Sequence, residues 1–170
     1  MKSRIKNIFD RIDEDLDAVV IYNSTKPHVD KTFFYATGLM EGQFEGCVLV
    51  MHPDHSAEIL VSQLEEESAK KADIPLTVMK DREEREEWLQ DRLGDMEKIG
   101  VNSTEITYYA VKQIRENSDA ELVDVSDPII DARNIKDEKE IEVMRKACDI
   151  ASEVAENITD FIDPGVKEYE

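Results

Sequence analysis

Histidine, cysteine and convergent carboxylates are the usual raw material of a hydrolytic or metal site. This chain has three histidines. Two of them, His52 and His55, flank Asp54 in His52-Pro53-Asp54-His55-Ser56, and imidazole with carboxylate suits Zn, Mn or Co. The same five residues sit between two β-rich apolar runs around a proline, so they read as the solvated tip of a hairpin. Gly38, Gly42 and Gly46 recur every fourth residue. No Lys-Ser/Thr follows them, as a phosphate-cradling loop requires, and the segment is too polar for a membrane helix face. They read as loop flexibility ahead of a hairpin. Serine, histidine and aspartate all occur, but in no Gly-x-Ser-x-Gly elbow. Activating water for amide hydrolysis needs a metal or base among several convergent ligands, and no ligand-spaced cluster lies on a regular element. We therefore assign no catalytic residue and no metal ligand to this chain. Arg133 and Lys136 are expected to pair with nearby carboxylates, and Cys47 and Cys148, each inside an apolar run, to be buried free thiols of a reducing compartment.

The elements that would position such groups follow from periodicity. Ile5, Ile8, Phe9 and Ile12 mark an amphipathic helix, and Leu16 to Tyr22 a buried strand. Asn23-Ser24-Thr25-Lys26-Pro27 is a loop, and the aromatic run Lys31 to Leu39 ends at Gly38. Gly46 to Met51 and Ala57 to Val61 form the hairpin. A helix over Leu64 to Ala72 and a strand at Leu76 to Met79 come next. A helix follows with Leu89, Leu93 and Met96 on one face, then a strand at Lys98 to Asn102. Ser103 is the expected cap of a helix holding Ile106, Tyr109, Ala110, Val111 and Ile114. Glu121 to Val125 is a last short strand, ending at Asp127-Pro128. Strands alternating with helices after an opening hairpin predict an α/β fold, a mixed sheet of five or six strands flanked by helices, up to about Asp131.

From Asp137 the pattern changes. Asp137 with Glu140 starts a capping box. Ile141, Met144, Cys148, Ala151, Ala155, Ile158 and Ile162 then recur at spacings of three and four, with Val143, Ala147, Ile150 and Val154 beside them. One helix over roughly 137–162 is expected, with Phe161 on the same apolar surface. Rows this wide call for a covering partner along most of their length. A helix of that length has little stability without packing, so we expect it to fold back on its own domain or to associate with another copy.

Composition excludes several classes of function. Forty acidic against 21 basic residues give a formal charge of -19. That field repels a nucleic-acid backbone and an anionic membrane, so neither is an expected partner. Hydrophobic residues at 41% are enough to bury a core. The charged start, Met1-Lys2-Ser3-Arg4-Ile5-Lys6, leads into no unbroken apolar stretch, so no signal peptide is expected. No apolar run is long enough to span a bilayer. The chain reads as cytoplasmic, and the sequons at Asn23, Asn102 and Asn157 then carry no meaning.

The stretch Asp131-Ala132-Arg133-Asn134-Ile135-Lys136-Asp137-Glu138-Lys139-Glu140-Ile141-Glu142 resembles the domain junction of the Xaa-Pro aminopeptidase/prolidase/creatinase family. In that family an R-x-I-K-s/d-x-x-E-I segment opens the first helix of the catalytic domain, and Arg133, Ile135, Lys136, Glu140 and Ile141 stand at matching positions. Met144-Arg145-Lys146-Ala147 and Pro164-Gly165-Val166-Lys167-Glu168-Tyr169-Glu170 are similar to the family's M-R-K-A and P-G-x-T-E-x-E, with Lys167 in place of the usual Thr. Phe34-Tyr35-Ala36-Thr37-Gly38-Leu39 looks like its Y-L-T-G-F. The resemblance implies a creatinase/prolidase-type, ribonuclease H-like N-terminal domain over 1–131. It implies, over 132–170, the junction and first helix of a pita-bread catalytic domain that is otherwise missing from this chain. It further implies a parent hydrolase that binds two divalent metals (Mn, Co or Zn) through ligands downstream of this chain, acts on proline-containing peptides and forms a homodimer. In relatives the segment after Tyr-x-Thr-Gly reaches a neighbouring subunit's active site. Glu41, Gln43, Phe44 and Glu45 are the corresponding residues, suited to stacking on a ring or meeting a free amine. The same architecture also fits a creatinase-like C–N hydrolase, or a non-enzymatic module of the histone-chaperone type.

Overall fold

The computed structural model describes residues 2–160 together with Ile162, Gly165 and Lys167. Phe161 and most of the closing 164–170 segment lie outside the described residues. The chain divides into two compact units, Met1–Arg133 and Asn134–Glu170.

The first unit is built on one six-stranded sheet. Its strands are β1 (Ala18–Tyr22), β2 (Val48–Met51), β3 (Ala57–Ser62), β4 (Leu76–Met79), β5 (Lys98–Val101) and β6 (Glu121–Asp124), in the order β4-β3-β2-β1-β5-β6. Only β2 runs against the others: it pairs antiparallel with β1 and β3, while β1 with β5, β5 with β6 and β3 with β4 are parallel. The carboxyl ends of five strands therefore share one edge of the sheet.

Alternation along the strands divides the core in two. Val19, Ile21, Leu49, Met51, Ile59 and Val61 face a cluster completed by Ile5, Ile8, Phe33, Ala36, Phe44 and Ile129. These come from α1 (Lys2–Phe9), α2 (Lys31–Thr37), the loop after α2, and α6 (Ser126–Asn134). Ala18, Val20, Tyr22, Val48, Val50 and Leu60 face the other way, onto Trp88, Leu89 and Leu93 of α4 (Arg82–Leu93) and Ala110 and Ile114 of α5 (Tyr108–Asn117). Burial on both faces explains the near-continuous apolar runs Ala18–Tyr22 and Val48–Met51, all of whose residues are buried. At about 1.5–3 kcal/mol for each large side chain, these two layers carry the stability of the unit.

Several local expectations are corrected. The aromatic run after the first loop is a helix, α2, started by the Asp30 carboxylate accepting from the Thr32 N–H and stopped by Gly38 at φ 73°. Thr107, not Ser103, caps α5, because the chain turns through 102–106 before the helix begins. The Ser103 hydroxyl instead meets Ser126 at 3.2 Å. Asp127-Pro128 opens α6 rather than ending a strand, since proline in a first turn gives up an N–H that has no helical partner anyway. Leu64 to Ala72 is broken into a 3-10 turn (Gln63–Glu65), α3 (Glu66–Ala69) and a second 3-10 turn (Lys70–Ala72), with Leu64 exposed. Met96 lies beyond the end of α4 but still packs on the α4–α5 cluster. Helix α6 runs on through 131/132, with Ala132 buried and its carbonyl accepting from the Asn7 amide and the Tyr35 hydroxyl.

In the second unit, α7 (Glu138–Asn157) continues as a 3-10 turn over Ile158–Asp160. Asp137 and Glu140 close a reciprocal capping box at its start, as the spacing predicts. No residue of α7 is buried, and Val143, Met144, Ile150 and Val154 stand exposed. Cys148 is consequently exposed, against the expectation of a buried thiol, whereas Cys47 is buried and its thiol is pushed up to about 12 by that burial. No helix among the described residues is long and apolar enough to cross a membrane.

Candidate functional site

The loop joining α2 to β2, residues 38–47, holds all four residues singled out by sequence. Three glycines with positive φ, Gly38 (73°), Gly42 (111°) and Gly46 (69°), let it turn back on itself. Phe44 also has positive φ, 49°, a strained setting for a bulky residue that has to be held by packing. The packing is an aromatic cluster. The Phe44 ring lies 5.0 Å from Phe33 and 5.8 Å, edge-on, from Phe34. Its side chain is 0% exposed, so within this unit it packs as an anchor. At Gly42 a Cβ would come within 2.5 Å of the Phe44 ring and 2.6 Å of the Glu65 carboxylate, which leaves no room for any other residue.

With Phe44 turned inward, its neighbours turn outward. Glu41 is exposed and meets the Lys71 ammonium at 2.6 Å, which holds the carboxyl below its usual range. Gln43 is exposed, and its backbone N–H donates to Glu65 at 3.0 Å. Glu45 is half-buried and accepts from the Lys26 N–H at 3.1 Å. The loop is thus braced from the β3–β4 connection on one side and the β1–α2 connection on the other. Sequence reasoning missed Met40, 83% exposed on this loop, and Leu64, 92% exposed beside the Glu65 that braces it. Both large apolar side chains stand in water, an exposure that only the structure signals. A methionine inside a glycine-rich polar stretch gave no such signal.

Beneath the loop is a polar network that sequence reasoning also missed. The Asn23 amide donates to the Phe44 carbonyl at 3.1 Å, and its oxygen accepts from the Asp30 N–H at 3.1 Å. Asp30 caps α2 and accepts from the Asn102 amide at 2.7 Å, and Thr104 donates to the Asn102 oxygen at 2.8 Å. Asn23, Asp30 and Asn102 are all buried, so the first two sequons read from the sequence are core residues. Asp124 accepts from Ser103 and Ser126, bonds that hold its carboxyl down at about 2.

The other candidates do not converge. Asp54 accepts from the N–H and hydroxyl of Ser56 in the hairpin turn, and the His52 Nε2 lies 3.7 Å from Glu58. Among the described residues no three of histidine, cysteine, aspartate and glutamate are placed to hold a metal ion. Two cations depart from expectation: Arg133 donates to the Thr32 hydroxyl at 3.4 Å and Lys136 to the Asn134 carbonyl at 3.2 Å, neither of them a carboxylate partner.

A mixed, mostly parallel sheet covered by helices on both faces, with a braced glycine-rich loop before its one antiparallel strand, defines an α/β domain of a recognisable type. Residues 4–135 match the creatinase/prolidase N-terminal domain model, and the chain belongs to that family. It is 30% identical over its whole length to an Xaa-Pro dipeptidase of Pyrococcus horikoshii, of which it covers 45%. The solved prolidase structure from Pyrococcus horikoshii superposes with a TM-score of 0.79 at 28% identity, over 98% of this chain and 45% of that one. The creatinase/prolidase N-terminal domain of an X-Pro dipeptidase from Streptococcus pyogenes shares the fold at a TM-score of 0.56 and 14% identity, over 72% of this chain and 98% of that one. The chain thus spans about half the length of the full peptidases it matches.

Proposed function

We propose that this chain is the non-catalytic N-terminal part of a cytoplasmic, metal-dependent Xaa-Pro peptidase, of the prolidase or aminopeptidase P type. The observation that carries the reading is its full-length match to 45% of an Xaa-Pro dipeptidase. The metal pair, Mn, Co or Zn, belongs to the remaining half of the parent. The first unit ends with α6, and 134–170 opens the catalytic domain, whose remaining body covers α7. In the parent homodimer, Glu41, Gln43 and Glu45 face a partner subunit's active site and restrict the length of the peptide admitted. Phe44 holds them there without touching substrate.

The loop assignment is tested in the full-length parent by replacing Glu41 and Glu45 with alanine, singly and together. A charge-assisted hydrogen bond to a substrate amine is worth about 1.5–3 kcal/mol, so kcat/KM for an Xaa-Pro dipeptide is expected to fall by roughly 10–100-fold. The thermal midpoint should stay near that of the unaltered protein, because Glu41 is exposed. Unchanged kcat/KM for dipeptides and longer peptides alike would remove the loop from the site.

A further inference from the structure

A second place on the molecule combines an unmet charge with unmet hydrogen bonds. Tyr22 is the last residue of β1 and is 4% exposed, yet its hydroxyl has no hydrogen-bond partner among the described residues. The same holds for the buried Nε of Arg85 and, one turn further along α4, for the indole N–H of Trp88. Burying a hydroxyl or a guanidinium nitrogen without a partner costs about 1–3 kcal/mol, so three such atoms together need an explanation.

Arg85 is the centre of this group. A guanidinium carries five donors, and among the described residues Arg85 uses one, its Nη2, which donates to the Tyr109 hydroxyl at 3.3 Å. Among the described residues it has no carboxylate partner, in a chain with 40 acidic residues. Glu86 is held by Arg82 at 2.5 Å, and Glu116 by the Gln113 amide at 2.6 Å and Lys112 at 3.4 Å. Tyr109 in turn donates to Gln113 at 3.3 Å, so its hydroxyl is itself committed.

The position within the fold is informative. The strand order reverses at β1: the chain runs outward through β2, β3 and β4 on one side and returns to lay β5 and β6 on the other. In open α/β sheets ligands bind outside the carboxyl ends of the strands at such a switch point. Tyr22 ends β1, Tyr109 lies in the first turn of α5 just after β5, and Arg85 lies in the first turns of α4. The wall beside Arg85 is Gly46, where an added Cβ would sit 3.9 Å from the Arg85 Nη1 and 4.0 Å from the Met79 methyl. A side chain at that position would occupy the approach to the guanidinium.

We propose that this cluster binds a small oxyanion, a carboxylate or a phosphate, on the Arg85 guanidinium, with the Tyr22 hydroxyl as second donor. The site borders the 38–47 loop at Gly46, the residue after Glu45, and does not depend on the peptidase reading. A carboxylate ligand would be a small organic acid; a phosphate would be the free ion or a phosphate ester.

Trp88, the chain's single tryptophan, lies one turn along α4 from Arg85 and serves as the reporter. Acetate and inorganic phosphate are each titrated into the 170-residue protein at constant ionic strength, with chloride as the balancing anion, while Trp88 emission and the thermal midpoint are followed. The expected result is a saturable emission change and a rise in midpoint with at least one of the two. Acetate alone identifies carboxylates, phosphate alone identifies phosphates, and both identify a general oxyanion site. Arg85→Met should raise the half-saturating concentration at least about tenfold, the worth of one charge-assisted bond, and Tyr22→Phe should raise it several-fold. If Arg85→Met fails to fold, Tyr22→Phe alone decides, since it only removes an unpartnered hydroxyl. No saturable response to either anion, or an equal response in the wild type and both variants, overturns the proposal and leaves the three atoms to buried water.

Discussion

Phe44→Ala is expected to cost this protein about 3–5 kcal/mol, the range for removing a fully buried phenylalanine. The ring is 0% exposed and packs on both Phe33 and Phe34, so the cavity would open in the middle of one core layer. Against a typical total stability of about 5–15 kcal/mol, that loss is a large fraction. It also releases a backbone with φ of 49°, which a smaller side chain has no packing to maintain. Urea unfolding monitored by Trp88 emission measures it. Glu41→Ala is the contrast, because an exposed ion pair is worth about 0–1 kcal/mol. A Phe44→Ala protein within about 1 kcal/mol of wild type would mean that the loop hangs on its hydrogen bonds and that the aromatic anchor is incidental.

Asp30→Ala has the next largest expected effect, about 2–4 kcal/mol. Two terms add. Loss of the α2 cap costs about 1 kcal/mol, and the buried Asn102 amide left without its acceptor costs about 1–3 kcal/mol more. Asp30→Asn separates them. An asparagine oxygen can still cap the Thr32 N–H, while its NH2 opposes the Asn102 NH2, so roughly the cap term alone should be recovered. Equal losses for alanine and asparagine, read from the same urea curves, would show that the cap contributes nothing.

The two kinds of residue in these predictions differ in how visible they were in sequence. The strands were legible because both faces of the sheet are covered, which forces unbroken apolar runs such as Val48–Met51. The capping box of α7 was legible because its two partners are three residues apart. The buried Asn23–Asp30–Asn102 network was not, because its members are 7 and 72 residues apart and polar side chains give no period. Helix α2 was obscured by Phe33, Phe34 and Tyr35, aromatics that suit a strand equally well until the Asp30 cap and Gly38 stop are seen together. The loop was found by its likeness to a family motif, but that likeness could not distinguish its inward residue from its outward ones. A positive φ at Phe44 turns the ring into the core, and only the three-dimensional packing of Phe33 and Phe34 reveals it. The Tyr22–Arg85 cluster carried no motif at all.

The central claim is that chemistry resides in the half of the parent that this chain lacks. Hydrolysis of an Xaa-Pro dipeptide tests it most directly, with the highly purified 170-residue chain and the full-length parent assayed side by side with Mn, Co and Zn in turn. The account predicts turnover by the parent with at least one of these metals, and no turnover by the chain alone with any of them. Hydrolysis by the isolated chain at a rate that follows its concentration would contradict it.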